Sequence, residues 1–136
     1  MAASLYIVVE GEDPGFDTFV NGHALARNED ALEQLARRLQ VRSLLDFFSA
    51  DENSMALLLE QGAATPGWAR NLPQPQWYSA PEGLLTVRAL IDFLVETPAA
   101  LGSETQPVLA ELREYERVLR KTAEHGLRWH IAVSWR

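Results

Sequence analysis

Apolar and polar residues alternate at both ends of the chain, and this pattern predicts two β-strands. The stretch "SLYIVVEGE" is rich in β-branched and aromatic residues and stops at a Gly-Glu-Asp-Pro-Gly turn, which indicates a strand over residues 4–10. The stretch "LRWHIAVSW", residues 127–135, alternates strictly. One face of this last strand carries Leu127, Trp129, Ile131, Val133 and Trp135, and the other carries Arg128, His130, Ala132 and Ser134.

Between these strands, apolar residues recur at the spacing that amphipathic helices require. Residue types that cap helices, such as Asn28 and Ser43, stand before several of these segments. The stretch "FDTFV", residues 16–20, is instead predicted to return as a short second strand. The predicted helices span residues 29–40, a short segment after Ser43, a segment between Ser49 and Gly62, residues 80–96 and residues 106–125.

The clearest helix start lies in "YSAPEG". Ser79 is the predicted N-cap, Glu82 follows three residues later, and Pro81 stands in the first turn, where its missing N–H costs nothing. A hydrophobic staple would pair Tyr78 with the fourth helical position, but that position is Gly83, so Tyr78 must pack elsewhere or face solvent. The apolar stripe predicted for this helix consists of Leu84, Val87, Ile91, Leu94 and Val95.

These elements predict a single domain, residues 1–136, of the α+β class. The most economical arrangement is a small sheet that includes both terminal strands and is covered on one face by about four helices. Either face of the first strand could lie on this uncovered side, the one with Tyr6, Val8 and Glu10 or the one with Leu5, Ile7 and Val9. We expect the first, because it keeps Glu10 outside the core. The residues expected on the uncovered sheet face are then Tyr6, Val8, Glu10, Arg128, His130 and Ser134.

The charge of the chain limits the classes of partner that we expect it to bind. The formal net charge is −7, and all of it lies in residues 1–68, which hold eleven acidic residues against four basic ones. No basic residue precedes Arg27. Such a surface repels phosphate backbones, so nucleic acid is not an expected partner, whereas a basic protein is matched to it.

Several classes of chemistry are not expected from this composition. The chain has no cysteine, no secretory signal pattern and no apolar run of membrane-spanning length, which predicts a cytoplasmic protein without a membrane partner. The acidic turn "EGEDPGFD" lacks the spacing of a calcium-binding loop, and no glycine pattern that cradles phosphate is present. Neither a metal nor a cofactor is therefore expected.

The stretch "TPGWARNLPQPQWYSAPEG", residues 65–83, contains four of the seven prolines and is predicted to be an ordered loop with a short edge strand near Trp77. Trp68, Arg70, Trp77 and Tyr78 give it the composition of a protein-interaction hot spot. We expect at least one of its three aromatic rings to face solvent or a second copy of the chain. The alternative is that Trp77 fills a gap in the core, and the two interpretations can both hold.

Two hypotheses of function follow. The favoured one is a noncatalytic interaction or regulatory protein that docks a partner protein, a basic one or a second copy, through its acidic first half and the aromatic loop. This build resembles that of small bacterial single-domain proteins, some of which are immunity or regulatory partners. The alternative is a small enzyme or ligand-binding domain on the open sheet face, where His130 would be a general base oriented by Glu10, beside Arg128. A plain surface histidine is the competing interpretation of His130.

Overall fold

The computed structural model describes residues 3–11, 14–49 and 76–134. Its sheet has three antiparallel strands in the order β1-β3-β2, with β1 at Ser4–Val9, β2 at Tyr78–Ser79 and β3 at Arg128–Ser134. The strands nearest the two ends of the chain are therefore neighbours, as predicted. The short β2 confirms the edge strand expected beside Trp77.

Four α-helices accompany this sheet within the part of the chain that the structure describes. Helices α3 and α4 pack on each other, and α4 also contacts β3 and α1. The α+β class is confirmed, but the helix predicted between Ser49 and Gly62 falls almost entirely on residues 50–75, outside the described residues. The helices are α1 at His23–Arg27, α2 at Glu29–Leu39, α3 at Ala80–Glu96 and α4 at Thr105–Glu124, with 3-10 turns at Leu44–Phe47 and Gly102–Glu104.

The face of β1 that lies beside His130 is the one that the sequence favoured. Val8 lies opposite His130, and Tyr6 lies opposite Ala132. Residues directly opposite each other in an antiparallel pair point to the same face, so these four side chains share one side of the sheet. Leu5, Ile7 and Val9, together with Trp129 and Ile131, are buried on the other side, toward the helices.

β1 alternates its backbone groups between β3 and its own outer edge. Glu10 extends the ladder by donating its N–H to the Arg128 carbonyl at 2.8 Å. Leu5 turns the other way: its N–H donates to the Gly22 carbonyl at 3.2 Å, and its carbonyl accepts the hydroxyl of Tyr115. These two bonds fasten the start of β1 to the segment before α1 and to α4.

Trp129 lies at the centre of the core between the sheet and α3. Its ring stacks on Phe47 with 5.0 Å between ring centroids, and its indole N–H donates to the Ser79 carbonyl at 3.1 Å. The ring edge lies against Gly83, where a Cβ would stand 2.3 Å from a ring carbon. Position 83, which would have stapled Tyr78, thus lacks a side chain because Trp129 occupies that space.

The buried face of α3 differs in part from the predicted stripe. Ile91 is only half-buried and Val95 is exposed, although both were expected inside. A helix turns about 100° per residue, so relative to Val87 the position of Leu90 lies about 60° to one side, while Ile91 and Val95 lie about 40° and about 80° to the other. The buried face extends to the side of Leu90, and not to that of Val95. The apolar residues that α3 buries are Ala80, Leu84, Val87, Leu90 and Leu94.

Helix α1 was not predicted, and it changes the role of Asn28. The side-chain amide of Asn28 donates to the Ala24 carbonyl at 2.8 Å and makes no capping bond to α2. The expectation that this side chain caps α2 is therefore wrong, because the side chain binds a carbonyl of α1 instead. The prediction for Ser43 is confirmed: its hydroxyl accepts the Leu45 N–H, and the Asp46 carboxylate accepts the Ser43 N–H.

Ser79 caps α3 as predicted, since its hydroxyl accepts the N–H of Glu82 at 3.5 Å. Replacing Ser79 with alanine should lower the free energy of unfolding by about 1 kcal/mol, because first-turn amides lose their acceptor. Urea denaturation followed by circular dichroism measures this change. The control is Ser103→Ala, an exposed residue in the turn before α4, whose loss should shift the midpoint far less. Equal midpoints for the two variants would contradict the capping role.

Candidate functional site

Trp77 and Tyr78, at the start of β2, point to opposite faces of the sheet. Tyr78 lies opposite Trp129 and packs edge-on against Phe47, with 5.5 Å between ring centroids. Trp77 packs instead on the ring of His130 at 4.8 Å. Both rings are half-buried, so each contributes to the interior and still reaches the surface. This alternation is the ordinary consequence of an extended backbone.

Phe48 adds a third aromatic side chain next to this strand. It is 40% exposed, whereas its neighbour Phe47 is fully buried. Phe48 forms an isolated parallel bridge with Ile131, and the Ser49 N–H donates to the Ile131 carbonyl at 3.0 Å. The Ser49 hydroxyl in turn accepts the N–H of Gln76 at 2.7 Å. The segments around Phe48 and β2 are thereby held together against β3.

The Arg42 guanidinium lies over two of the rings at this place. Its guanidinium carbon is 4.5 Å from the centre of the Phe47 ring and 5.4 Å from that of Tyr78. The same group pairs with Glu82 at 3.2 Å, and its backbone carbonyl accepts the Thr86 hydroxyl at 2.8 Å. These contacts hold a cation over aromatic faces, where the attraction is substantial. These side chains lie around the β2 edge of the sheet, with Arg42 and Tyr78 on one face, Trp77 on the other and Phe48 beside Tyr78. We call this edge, Arg42, Phe48, Trp77 and Tyr78, the aromatic surface.

The expectation that His130 lies on an uncovered sheet face is wrong. His130 is only 1% exposed, and Ala132 on the same face is fully buried. The described contacts of the His130 ring are Trp77 and, through Nδ1, the Ile131 carbonyl at 3.2 Å. A histidine in this position is enclosed by packing, so substrate has no evident access to its ring.

Glu10 also does not orient His130. Its carboxylate accepts hydrogen bonds from the Arg128 side chain, two of them from Nε at 3.2 Å, and from the Arg128 backbone N–H at 3.2 Å. The register explains this choice, because position 128 is opposite Glu10 while His130 faces Val8. Glu10 and Arg128 therefore come together as predicted, but as an ion pair without the histidine.

The hydrogen bonds from Arg128 lower the pKa of the Glu10 carboxyl, and the same contact raises the pKa of the Arg128 guanidinium. The lowered pKa keeps the Glu10 carboxylate ionised, as its ion pair with Arg128 requires, and makes it a weaker base. Because the folded pKa is the lower one, the stabilisation from this pair is present above the unfolded pKa and is lost as the pH falls through the folded pKa.

A second surface feature is an open cleft of about 460 Å³ beside α4. It lies at residues 17–21, part of the stretch predicted as a short strand; the structure gives this stretch no regular element, so that prediction is wrong. Two backbone carbonyls there accept hydrogen bonds from the Arg117 side chain of α4, in place of the hydrogen bonds that a neighbouring strand would have made. We call it the Phe19 cleft, and its lining residues are Asp17, Phe19, Val20, Asn21, Glu114 and Arg117.

Sequence reasoning also missed a buried carboxylate on α4. Glu111 is 8% exposed and accepts the backbone N–H groups of Ala24 at 3.1 Å and Leu25 at 2.9 Å. Tyr115, one turn later, has its pKa raised well above the ordinary value by burial and, second, by the charge of Glu111. Both groups have partners in the interior, and their contacts are structural. The sign of it in the sequence was its position, since Glu111 stands one helical turn before Tyr115 on the apolar stripe of the helix.

No protein-family model, no curated protein and no solved structure matches this chain. Its function must therefore be argued from its own residues. Trp68 and Arg70, two of the predicted binding residues, lie outside the described part of the chain. Within residues 3–11, 14–49 and 76–134, no group of three His, Asp or Glu side chains is placed to hold a metal ion. No helix in those same ranges has the length and apolar character that a membrane span requires.

Proposed function

We propose that this protein is a noncatalytic interaction domain that binds a partner protein through the aromatic surface. The observation that carries the proposal is the exposure of Phe48 at the same sheet edge as two half-buried aromatic rings, one of which lies under the Arg42 guanidinium. Aromatic residues and arginine dominate the energetics of protein interfaces, where they are enriched relative to the rest of the surface. A cytoplasmic location, and an immunity-like or regulatory role, are parts of the same proposal.

The rigidity of the aromatic surface supports this use. Phe48 is anchored through its bridge to β3, Tyr78 through β2, and Arg42 through its ion pair with Glu82. Side chains that are already ordered lose little conformational freedom when a partner arrives. The alternative of an enzyme or ligand site around His130 has less support, because that ring is enclosed and Glu10 is engaged by Arg128.

The test is capture of partner proteins on immobilised protein, followed by mass spectrometry and by affinity measurement on each protein recovered. We expect Phe48→Ala to weaken the interaction about tenfold, the effect of losing one hot-spot side chain. Arg42→Lys keeps the charge but removes the planar group that lies over the rings, so it should also weaken binding. The matched control is Leu85→Ala on α3, which removes a side chain that is 69% exposed elsewhere.

Circular dichroism melting of each variant separates binding from folding. Phe48→Ala should keep a melting temperature close to that of the wild type, because the ring is partly exposed. The same affinity for the wild type, Phe48→Ala and Arg42→Lys would contradict the proposed surface.

A further inference from the structure

Phe19 is the most exposed of the large apolar side chains that the structure describes, at 76%. It lies on the β1 side of the molecule, next to α4, whereas the aromatic surface lies along the opposite side of β3. Single exposed apolar residues are common on protein surfaces and need no explanation by themselves. Phe19 differs because it borders a cleft and because its backbone is fixed.

Three hydrogen bonds hold the Phe19 segment in place, and a fourth, within α4, fixes the Arg117 side chain. The N–H of Phe19 donates to the Asp17 carboxylate at 2.9 Å. The Arg117 guanidinium donates to the backbone carbonyls of Asp17 and Phe19, each at 3.1 Å, and to the Glu114 carboxylate at 2.9 Å. Arg117 thus bridges α4 and the loop, and the exposed ring is presented on an ordered backbone. Association through such a ring costs less entropy than association through a mobile one.

The Phe19 cleft has the size and shape to receive side chains from another protein. Its volume of about 460 Å³ lies within the range of ligand pockets in proteins. Val20 is buried and is part of the lining, so apolar surface is available below the exposed ring. The cleft is partly open to solvent, which suits side chains of a protein segment better than a fully enclosed small molecule.

The charge of the cleft selects the partner. Its lining holds two carboxylates, Asp17 and Glu114, and one guanidinium, Arg117. Arg117 forms an ion pair with Glu114 and donates to two carbonyls, so the carboxylate of the lining that has no cationic partner among the described residues is Asp17. The chain before Arg27 carries acidic residues and no basic one. A segment bearing lysine or arginine is complementary to such a surface.

From these observations we infer that the Phe19 cleft is a docking site for a segment of a partner protein in which lysine or arginine stands beside apolar side chains. The apolar side chains would cover Phe19 and Val20, and the cationic group would meet Asp17. The inference rests on the proposed function for the class of ligand, a protein. It adds a second contact surface, separate from the aromatic surface, and the chemistry that this surface recognises.

The experiment uses a synthetic probe peptide, acetyl-Lys-Leu-Leu-Lys-Leu-Leu-Lys-amide, titrated into the isotope-labelled protein and followed by nuclear magnetic resonance. We expect the amide signals of Phe19, Asn21 and Glu114 to shift. Phe19→Ala should raise the dissociation constant of the peptide about tenfold. Asp17→Asn keeps an oxygen acceptor for the Phe19 N–H but removes the charge, and it should weaken binding about two- to fivefold and reduce its salt dependence.

Matched controls separate the two parts of the recognition. A peptide with glutamate in place of lysine tests the charge, and one with serine in place of leucine tests the apolar contact. Both should bind at least about tenfold more weakly than the basic apolar peptide. Leu85→Ala, which removes another exposed apolar side chain, should leave the dissociation constant unchanged.

Each contrary outcome has a defined meaning. Equal binding of the glutamate peptide, or equal binding by wild type and Phe19→Ala, would overturn the docking site. Signals that shift at Phe48 and Tyr78 instead would overturn it while leaving the aromatic surface as proposed. Light scattering that shows a dimer abolished by Phe19→Ala would also overturn it, because the occupant would then be a second copy. If Phe48→Ala fails to affect any partner while the peptide binds at Phe19, the docking site stands without the aromatic surface.

Discussion

Replacing Gly22 with alanine should leave little folded protein. A Cβ at this position would stand 1.7 Å from the Leu5 carbonyl oxygen and 2.7 Å from the Leu5 nitrogen, and both are backbone atoms of β1 that cannot rotate aside. The Gly22 carbonyl also accepts the Leu5 N–H, so a shift that relieved the overlap would break this bond. We expect a loss of more than about 4 kcal/mol in the free energy of unfolding, a large part of the stability of an ordinary domain.

Urea denaturation monitored by circular dichroism and by Trp fluorescence measures this loss. Gly22 has a φ of −129°, which alanine also adopts, so the effect comes from overlap and not from backbone strain. The control is Gly15→Ala: φ there is +85° but no atom lies within 4 Å of the added carbon, so the cost should be about 1 kcal/mol. Similar midpoints for the two variants would mean that β1 and the segment before α1 are not in the close contact described.

Replacing Glu111 with alanine should produce the second large effect. The carboxylate is the acceptor for the N–H groups of Ala24 and Leu25 at the start of α1, and its loss leaves both without this partner in a buried place. Each unsatisfied buried N–H costs about 1–3 kcal/mol, so we expect a loss of about 3–5 kcal/mol including the cavity. Amide hydrogen exchange should also become faster at Ala24 and Leu25, because α1 loses its attachment to α4.

Glu104→Ala provides the matched control for Glu111. Glu104 pairs with Arg27, the last residue of α1, in an ion pair whose two side chains are 31% and 54% exposed. An exposed pair of this kind contributes at most about 1 kcal/mol. Equal destabilisation by Glu104→Ala and Glu111→Ala would show that α1 is not held by the buried carboxylate.

The two terminal strands were predictable because alternation of apolar and polar residues is visible within each strand's own sequence. Strict alternation marked β3, and the single charge of Glu10 was sufficient to choose which face of β1 lies outside the core, although not the direction or register of the pairing. The burial of His130 was not predictable in the same way. Alternation tells which residues share a face, but it does not tell whether that face is covered. The enzyme-like interpretation of His130 depended on that missing information.

Helix α1 shows a second limit. Its five residues are too few to display a helical period, and its first N–H groups are held by Glu111, 86 and 87 residues away in the chain. The Phe19 cleft has the same kind of origin, since Arg117 reaches it from α4 across 98 and 100 residues. Trp77 and Tyr78 were recognisable from composition alone, whereas no sequence pattern marked Phe48 as a surface residue beside them.

The order of strands in the sheet has a consequence for synthesis of the protein. β3 is the central strand and is the partner of both β1 and β2, yet it follows both of them along the chain. On the ribosome, neither earlier strand has its neighbour until Arg128–Ser134 has left the exit tunnel, although the helices can form before then. The apolar residues of β1 therefore have no partner strand while more than one hundred further residues are translated. Chaperones that act on this protein during synthesis would bind this nascent chain.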